Sequence, residues 1–245
     1  MEKLLQILAS IGKAPQSFLY HLGVYNLMFG DERVLTFWTG VLAVLFCVLG
    51  PYLMGSINTA VVISKRLYEK DIRTAGSKNA GMTNMFRVFG KKAGLMTLGG
   101  DLIKAILSVI MGTMVMGIAG GYTAGFFCLI GHVFPVFFRF KGGKGVLVAA
   151  ATILCTNPLV FLCLLFIFIV ILLMTRMVSL ASIICASFYP LLLNFYYKIC
   201  FSVPADIFAL TFSLFTMVMI IFFHRSNIVR IWNMEENKIH FDRKK

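Results

Sequence analysis

The chain has 245 residues, of which 59% are hydrophobic and only 13% charged, and its mean hydropathy is +0.88. A soluble globular domain carries roughly 25% charged residues, so this chain has too little polar surface to cover a water-soluble core. Its formal net charge of +13 fits basic loops beside a membrane as well as nucleic acid, and the apolar runs decide for the membrane.

Residues 1–35 mix apolar patches (Leu4 to Ile11, Phe18 to Met28) with Gly, Pro and charges. No A-x-A-like site follows a compact apolar core, so they read as an N-terminal extension, interfacial and outside the membrane, rather than as a cleaved signal peptide. Apolar runs follow at 36–63, 94–119, 121–138, 146–156, 159–174, 177–196 and 206–223. The fourth is short: at 1.5 Å per residue it covers roughly half of a hydrocarbon core about 30 Å thick. A short segment at that depth has to be enclosed by protein or line a wet cavity.

The loops alternate in charge. Lys65, Arg66, Lys70, Arg73, Lys78, Arg87, Lys91 and Lys92 crowd the loop after the first run. Arg139, Lys141 and Lys144 precede the fourth run, Arg176 precedes the sixth, and Arg225, Arg230, Lys238, Arg243, Lys244 and Lys245 follow the last. Among the intervening loops Lys198 is the exception to a near absence of cations. The positive-inside rule then puts the basic loops and the C-terminus in the cytoplasm. The expected fold class is all-α: a polytopic integral membrane protein whose residues 36–245 form one domain of seven transmembrane helices, N-terminus outside.

Six cysteines sit in or beside the apolar runs without a CxxC spacing, and His21, His132, His224 and His240 are scattered. Neither pattern calls for a metal or another cofactor, and a nucleic-acid partner is not expected.

Three polar clusters fall on the basic side. The first runs from Arg73 through GSKNAGMTN (76–84) to Arg87. A helix beginning near Ser77 would stack Gly81, Asn84 and Arg87 on one face. Such a start, with Ser77, Asn79, Thr83 and Asn84 nearby, is either an ordinary capped loop or an anion site. The second is FKGGKGV (140–146), where Gly142, Gly143 and Gly145 favour an N–H nest for phosphate between Lys141 and Lys144. It is not a Walker A loop, since Val146 stands where a hydroxyl is needed; its alternative is a flexible turn with snorkelling lysines. The third is HRSNI (224–228), where His224 and Asn227 share a helix face, or simply anchor the helix end. Asp101 and Lys104, three apart inside the second run, read as a structural ion pair, and Ser179 and Ser182 follow Arg176 on one stripe.

In this order and spacing the clusters strongly resemble the bacterial membrane glycerol-3-phosphate acyltransferases that use acyl phosphate, the PlsY family. The resemblance runs over roughly residues 50 to 240. It takes in GSINTA (55–60), DIRTAGSKNAGMTN (71–84), FGKKAG (89–94) and DLIKA (101–105), then GHVFPVFFRFKGGKGV (131–146), RMVSLASI (176–183) and HRSNIVRIWNMEENK (224–238). It implies seven transmembrane helices in a multi-pass protein of the bacterial plasma membrane, with the site facing the cytoplasm. It also implies transfer of an acyl group from acyl phosphate to the 1-position of glycerol 3-phosphate, giving lysophosphatidic acid.

By the same resemblance Ser77 and Arg87 match the first motif's essential pair. Gly142, Gly143, Lys144 and Gly145 match the glycerol 3-phosphate loop, His224 and Asn227 match the third motif, and Glu236 matches its structural acid. Arg73, Asn79, Thr83, Asn84, Lys141 and Ser182 complete the candidate phosphate-binding set. The chain departs from the family's common GSGN-x-GATN at Lys78 and Met82. Leu147 and Val148 replace the common Ala-Thr, and Met234 stands where glycine is usual.

The expected partners are glycerol 3-phosphate, acyl phosphate and membrane lipid, the acyl chain entering sideways between helices. No histidine has Asp four residues on, so the substrate's own phosphate is expected to help take the proton while Ser77 and Asn227 position the hydroxyl. A transporter of an anionic phosphorylated solute is the alternative, opposed by the lack of an internal repeat.

Overall fold

The computed structural model describes residues 37–239. The extension expected at residues 1–35 lies outside the described residues, as does His240. Among the described residues all regular structure is helical, and the chain divides into two compact units at the Thr156–Asn157 junction.

The first unit contains α1 (Phe37–Ser56), α2 (Thr59–Tyr68), a 3-10 turn (Ile72–Thr74), α3 (Met82–Val133), a second 3-10 turn (Val136–Phe138) and α4 (Val146–Thr156). The first apolar run is broken where Asn58 accepts the Val61 N–H and so caps α2. The 52-residue α3 has non-helical backbone at Gly90 and again at Met116 and Gly117. At the second break the chain reverses. Lys104 and His132 are 28 positions apart, which a straight helix would separate by about 42 Å, yet Nζ and Nδ1 are 3.0 Å apart.

Glycines set how close the arms come. A Cβ on Gly112 would meet the carbonyl of Gly120, and one on Gly120 would meet the carbonyl of Gly112. Likewise Gly55 faces the Cys128 backbone and Gly131 the Tyr52 backbone, so α1 lies against the returning arm. The short α4 reaches that arm at Gly125 through Thr152.

The second unit contains α5 (Pro158–Thr175), α6 (Val178–Phe201), α7 (Ile207–Phe223) and α8 (Arg225–Trp232). Pro158 opens α5 and Arg176, left-handed at φ 60°, closes it. Asp206 caps α7 by accepting from Phe208 and Ala209. Cys185 donates to the Leu164 carbonyl between α6 and α5, and the Tyr189 and Phe212 rings meet edge-on between α6 and α7. α7 and α8 bend by 58° at His224.

The apolar runs read from the sequence are helical over most of their described length, but the first is interrupted at residues 57–58, and the second and third fall within α3, which ends at Val133. Among the described residues four helical stretches are long and apolar enough to cross a bilayer, and the bent pair α7–α8 is a fifth candidate. Leu42, Phe166, Leu191 and Ile207 are more than 60% exposed, an outer apolar surface suited to lipid.

Candidate active site

The turn at 76–84 is shaped by one side chain. Asn84 is buried; its Oδ1 accepts the Ser77 N–H at 2.9 Å. Its Nδ2 donates to the carbonyls of Ala75 and Asn79 at 3.0 Å and, more loosely, of Ile72 at 3.4 Å. The helix therefore starts at Met82 rather than near Ser77, because Gly76 (φ 56°) and Lys78 (φ 59°) turn the chain left-handed. Asn84 thus organises the turn, with both amide hydrogens spent inside the protein. Beneath it Ile72, Ala80 and Met85 pack with Ala60, Val61, Ile63 and Ala93. Ser77 and Arg87 are exposed, Asn79 and Thr83 half-buried.

Arg73 is likewise committed. Its guanidinium pairs with Asp71 at 2.7 Å and donates to the carbonyls of Phe138 at 2.9 Å and Lys141 at 3.2 Å. It clamps the first cluster to the second instead of presenting its charge to solvent. Its hydrogen bonds hold the Asp71 carboxyl down at about 2, well below the usual carboxylate range.

The glycine-rich loop is docked differently from the expected nest. The N–H of Gly142 donates to the Val133 carbonyl and that of Gly143 to the His132 carbonyl, both at 3.1 Å. Those amides are satisfied by the end of α3, and the paired glycines serve close approach. A Cβ on Gly142 would strike the His132 carbonyl, and one on Gly143 would strike His132 Nε2 and lie 2.7 Å from the Ala80 carbonyl. Gly145 (φ 81°) then leads into α4, whose first-turn N–H groups have no intrahelical acceptor and carry the positive end of its dipole. Lys144 sits half-buried at that start and Lys141 is exposed.

Beneath both loops lies a buried polar group. Lys104 Nζ contacts Asp101 Oδ1 at 2.8 Å, the carbonyls of Ile57 and Gly55 at 2.9 and 3.2 Å, and His132 Nδ1 at 3.0 Å. Thr59 donates to the same Asp101 oxygen at 3.0 Å. The Asp101–Lys104 pair was readable three residues apart; His132 was not, since its place depends on the reversal at Met116–Gly117. Asn58 was also missed. Its amide reaches the Ala80 carbonyl at 3.4 Å, tying the α1–α2 break to the GSKN turn.

In the second unit Glu236 is the centre. Its Oε1 accepts from Asn227 Nδ2 at 2.8 Å and Ser179 at 3.0 Å, and its Oε2 pairs with Arg230 at 2.9 Å. His224 Nδ1 lies 2.7 Å from the Ile220 carbonyl. A carbonyl only accepts, so in the neutral ring Nδ1 bears the hydrogen and Nε2 the lone pair. This backbone contact orients the ring where the sequence offered no carboxylate. Ser182 bonds its own helix at the Val178 carbonyl. Among the described residues no group of three or more His, Cys, Asp or Glu side chains has metal-holding geometry.

In the first unit, then, two cationic turns are interlocked on apolar helices, and in the second a histidine and an amide are fixed at a helix end. A family profile described as glycerol-3-phosphate acyltransferase matches residues 45–234. A glycerol-3-phosphate acyltransferase of Macrococcus caseolyticus is 42% identical, the match covering 78% of this chain and 94% of that one. One from Finegoldia magna is 38% identical over 77% of this chain and 92% of its own. The crystal structure of PlsY (YgiH), an integral membrane glycerol 3-phosphate acyltransferase, in its glycerol 3-phosphate form aligns at 34% identity and a TM-score of 0.74. That alignment covers 81% of this chain and 96% of the other. The lysophosphatidic acid form of PlsY aligns with a TM-score of 0.70. The chain belongs to the glycerol-3-phosphate acyltransferase family and is an integral membrane enzyme of the PlsY type.

Proposed function

We propose that the enzyme transfers an acyl group from acyl phosphate to the 1-hydroxyl of sn-glycerol 3-phosphate, at the cytoplasmic face of the bacterial plasma membrane. In this reading residues 36–245 are one catalytic domain of seven crossings with the N-terminal extension outside. The alternation of cationic and cation-poor loops supports that orientation. The observation that carries the donor assignment is the interlock of two cationic turns, since Arg73 grips the carbonyls of Phe138 and Lys141. Two phosphate-bearing substrates need two such turns at a fixed spacing, so that their mutual repulsion is offset while the hydroxyl is aimed.

Acyl phosphate is a mixed anhydride. The 1-hydroxyl oxygen forms a bond to the acyl carbon, and the bond from that carbon to the phosphate oxygen breaks with its electrons leaving on phosphate. The hydroxyl proton passes to the phosphate of glycerol 3-phosphate. Arg87 and Ser77 hold the acyl-phosphate side; Lys141, Lys144 and the start of α4 hold glycerol 3-phosphate. His224, through Nε2, and Asn227 are assigned the positioning of the hydroxyl, as their match to the third motif implies.

The test supplies purified protein with radiolabelled glycerol 3-phosphate and either palmitoyl phosphate or palmitoyl-coenzyme A. Lysophosphatidic acid from the acyl phosphate alone is expected. Product from the thioester alone overturns the donor assignment, and no product from either overturns the reaction. Turnover near that of the parent in folded Ser77→Ala or Asn227→Ala variants removes those residues from their assigned roles.

A further inference from the structure

Lys104 sits where an apolar residue would be expected, 7% exposed in the outgoing arm of α3. Its ammonium has three hydrogens and four acceptors around it: Asp101 Oδ1, the carbonyls of Gly55 and Ile57, and His132 Nδ1. A simple ion pair needs only the first. The other three join the α1–α2 break to both arms of the α3 hairpin.

From that point two short routes lead to the two anion turns. One passes through the break itself. Ile57 is held by Lys104, and its neighbour Asn58 donates to the Ala80 carbonyl, inside the GSKN turn. The other passes through His132. Because Lys104 donates to Nδ1, the ring hydrogen sits on Nε2, the atom that a Cβ on Gly143 would strike. The His132 backbone carbonyl meanwhile accepts the Gly143 N–H at 3.1 Å. The routes close on each other, since the Ala80 carbonyl also faces Gly143.

We propose that Lys104 is a positioning residue for the reaction, setting the GSKN turn and the glycine-rich loop in register from a single buried ammonium. Resting on the assignment of those loops to the two phosphates, the proposal extends it to residues that touch neither substrate. Asp101 holds the charge of Lys104 in place, and His132 is the arm that reaches the glycine-rich loop.

A residue needed only for folding changes the fraction of active enzyme, and so kcat and melting temperature, while leaving KM alone. A positioning residue moves KM. The charge-free pair Asp101→Asn with Lys104→Met avoids stranding a buried ion, and such replacements are often tolerated. It is expected to fold but to melt lower than the parent, since the Gly55 and Ile57 carbonyls lose their donor, while KM for both substrates rises at least tenfold. His132→Gln keeps the ion pair and both carbonyl contacts. It is expected to raise KM for glycerol 3-phosphate at least fivefold and to leave that for the acyl donor within twofold.

KM values within twofold of the parent in the double variant overturn the proposal. If the double variant does not fold, His132→Gln decides alone, and an unchanged KM for glycerol 3-phosphate overturns it. The parent protein is assayed alongside with both donors. Failure of the parent to use acyl phosphate defeats the donor reading and leaves this comparison to be made with the donor that works.

Discussion

The side-chain oxygen of Asn84 accepts the backbone N–H of Ser77 at 2.9 Å, across seven positions of chain. One amide, buried at the start of α3, therefore sets where the exposed serine stands. Asn84→Asp keeps the size and the acceptor but turns a negative charge toward the Ala75 and Asn79 carbonyls, which lose their donor. Leaving such partly buried groups unsatisfied costs on the order of 1–3 kcal/mol. We expect a melting temperature lower by several degrees and activity reduced more than tenfold, read by thermal unfolding in detergent and by product formation.

Lys78 and Met234 are both left-handed, at φ 59° and 60°. Each stands where the family commonly has glycine, so these two departures are one kind of event: a side chain placed on backbone that disfavours it. The strain is roughly 1–2 kcal/mol per residue, offset in part by the greater freedom of glycine when unfolded. Lys78→Gly and Met234→Gly are each expected to stabilise by about 0.5–1 kcal/mol, measured as a rise in melting temperature. If the cation of Lys78 aids phosphate binding, Lys78→Gly also raises KM for the acyl donor, a change Met234→Gly does not share.

The Asp71–Arg73 clamp gives a dependence on acid. The Asp71 carboxyl is lowered from 3.8 to about 2, first by its hydrogen bond with the Arg73 side chain. A depressed folded value means the contribution is complete above pH 4 and is lost as pH falls through about 2. Stability measured from pH 5 to pH 2 should therefore fall less steeply in Asp71→Asn than in the parent. Its neutral amide also grips Arg73 less firmly, so KM for glycerol 3-phosphate should rise a few-fold at neutral pH. An unchanged KM would show that the glycine-rich loop holds its place without the clamp.

Glu236 collects Asn227, Ser179 and Arg230 on one buried carboxylate. Glu236→Gln loses the charge and must turn an amide N–H toward one of these donors. Hydrogen bonds to a charged group contribute roughly 1.5–3 kcal/mol, so destabilisation of about that size is expected. Turnover should fall together with the melting temperature, because Asn227 loses the acceptor that orients it. Full activity in a folded Glu236→Gln would limit the carboxylate to packing.

The parts of this enzyme readable in its sequence were those with a local cause. Apolar runs gave the helices, and the short run before Thr156 emerged as the 11-residue α4. Asp101 and Lys104, one helical turn apart, announced each other. What escaped were contacts made through reversal of the chain. His132 looked like an isolated histidine because its partner lies 28 positions back across the Met116–Gly117 turn. The start of α3 was misplaced because Ser and Asn near residue 77 resemble a cap, whereas the real constraint comes from Asn84, in the first turn of the helix. The glycine pair suggested a nest by composition; only the α3 end beside it reveals that the amides are already used.

The hairpin of α3 also bears on how the chain enters a bilayer. Its outgoing arm carries Asp101 and Lys104, and the returning arm carries His132, which meets the ammonium only when the arms lie side by side. The outgoing arm alone would leave the Asp101–Lys104 pair, though still beside Thr59 and the Gly55 and Ile57 carbonyls, without its imidazole. The returning arm supplies that imidazole, and the Gly112–Gly120 contact, two turns of helix beyond Lys104, sets how closely the arms approach. We therefore expect the two arms to enter a bilayer as a single unit, a chain halted before residue 118 lacking the partner that completes its buried polar group.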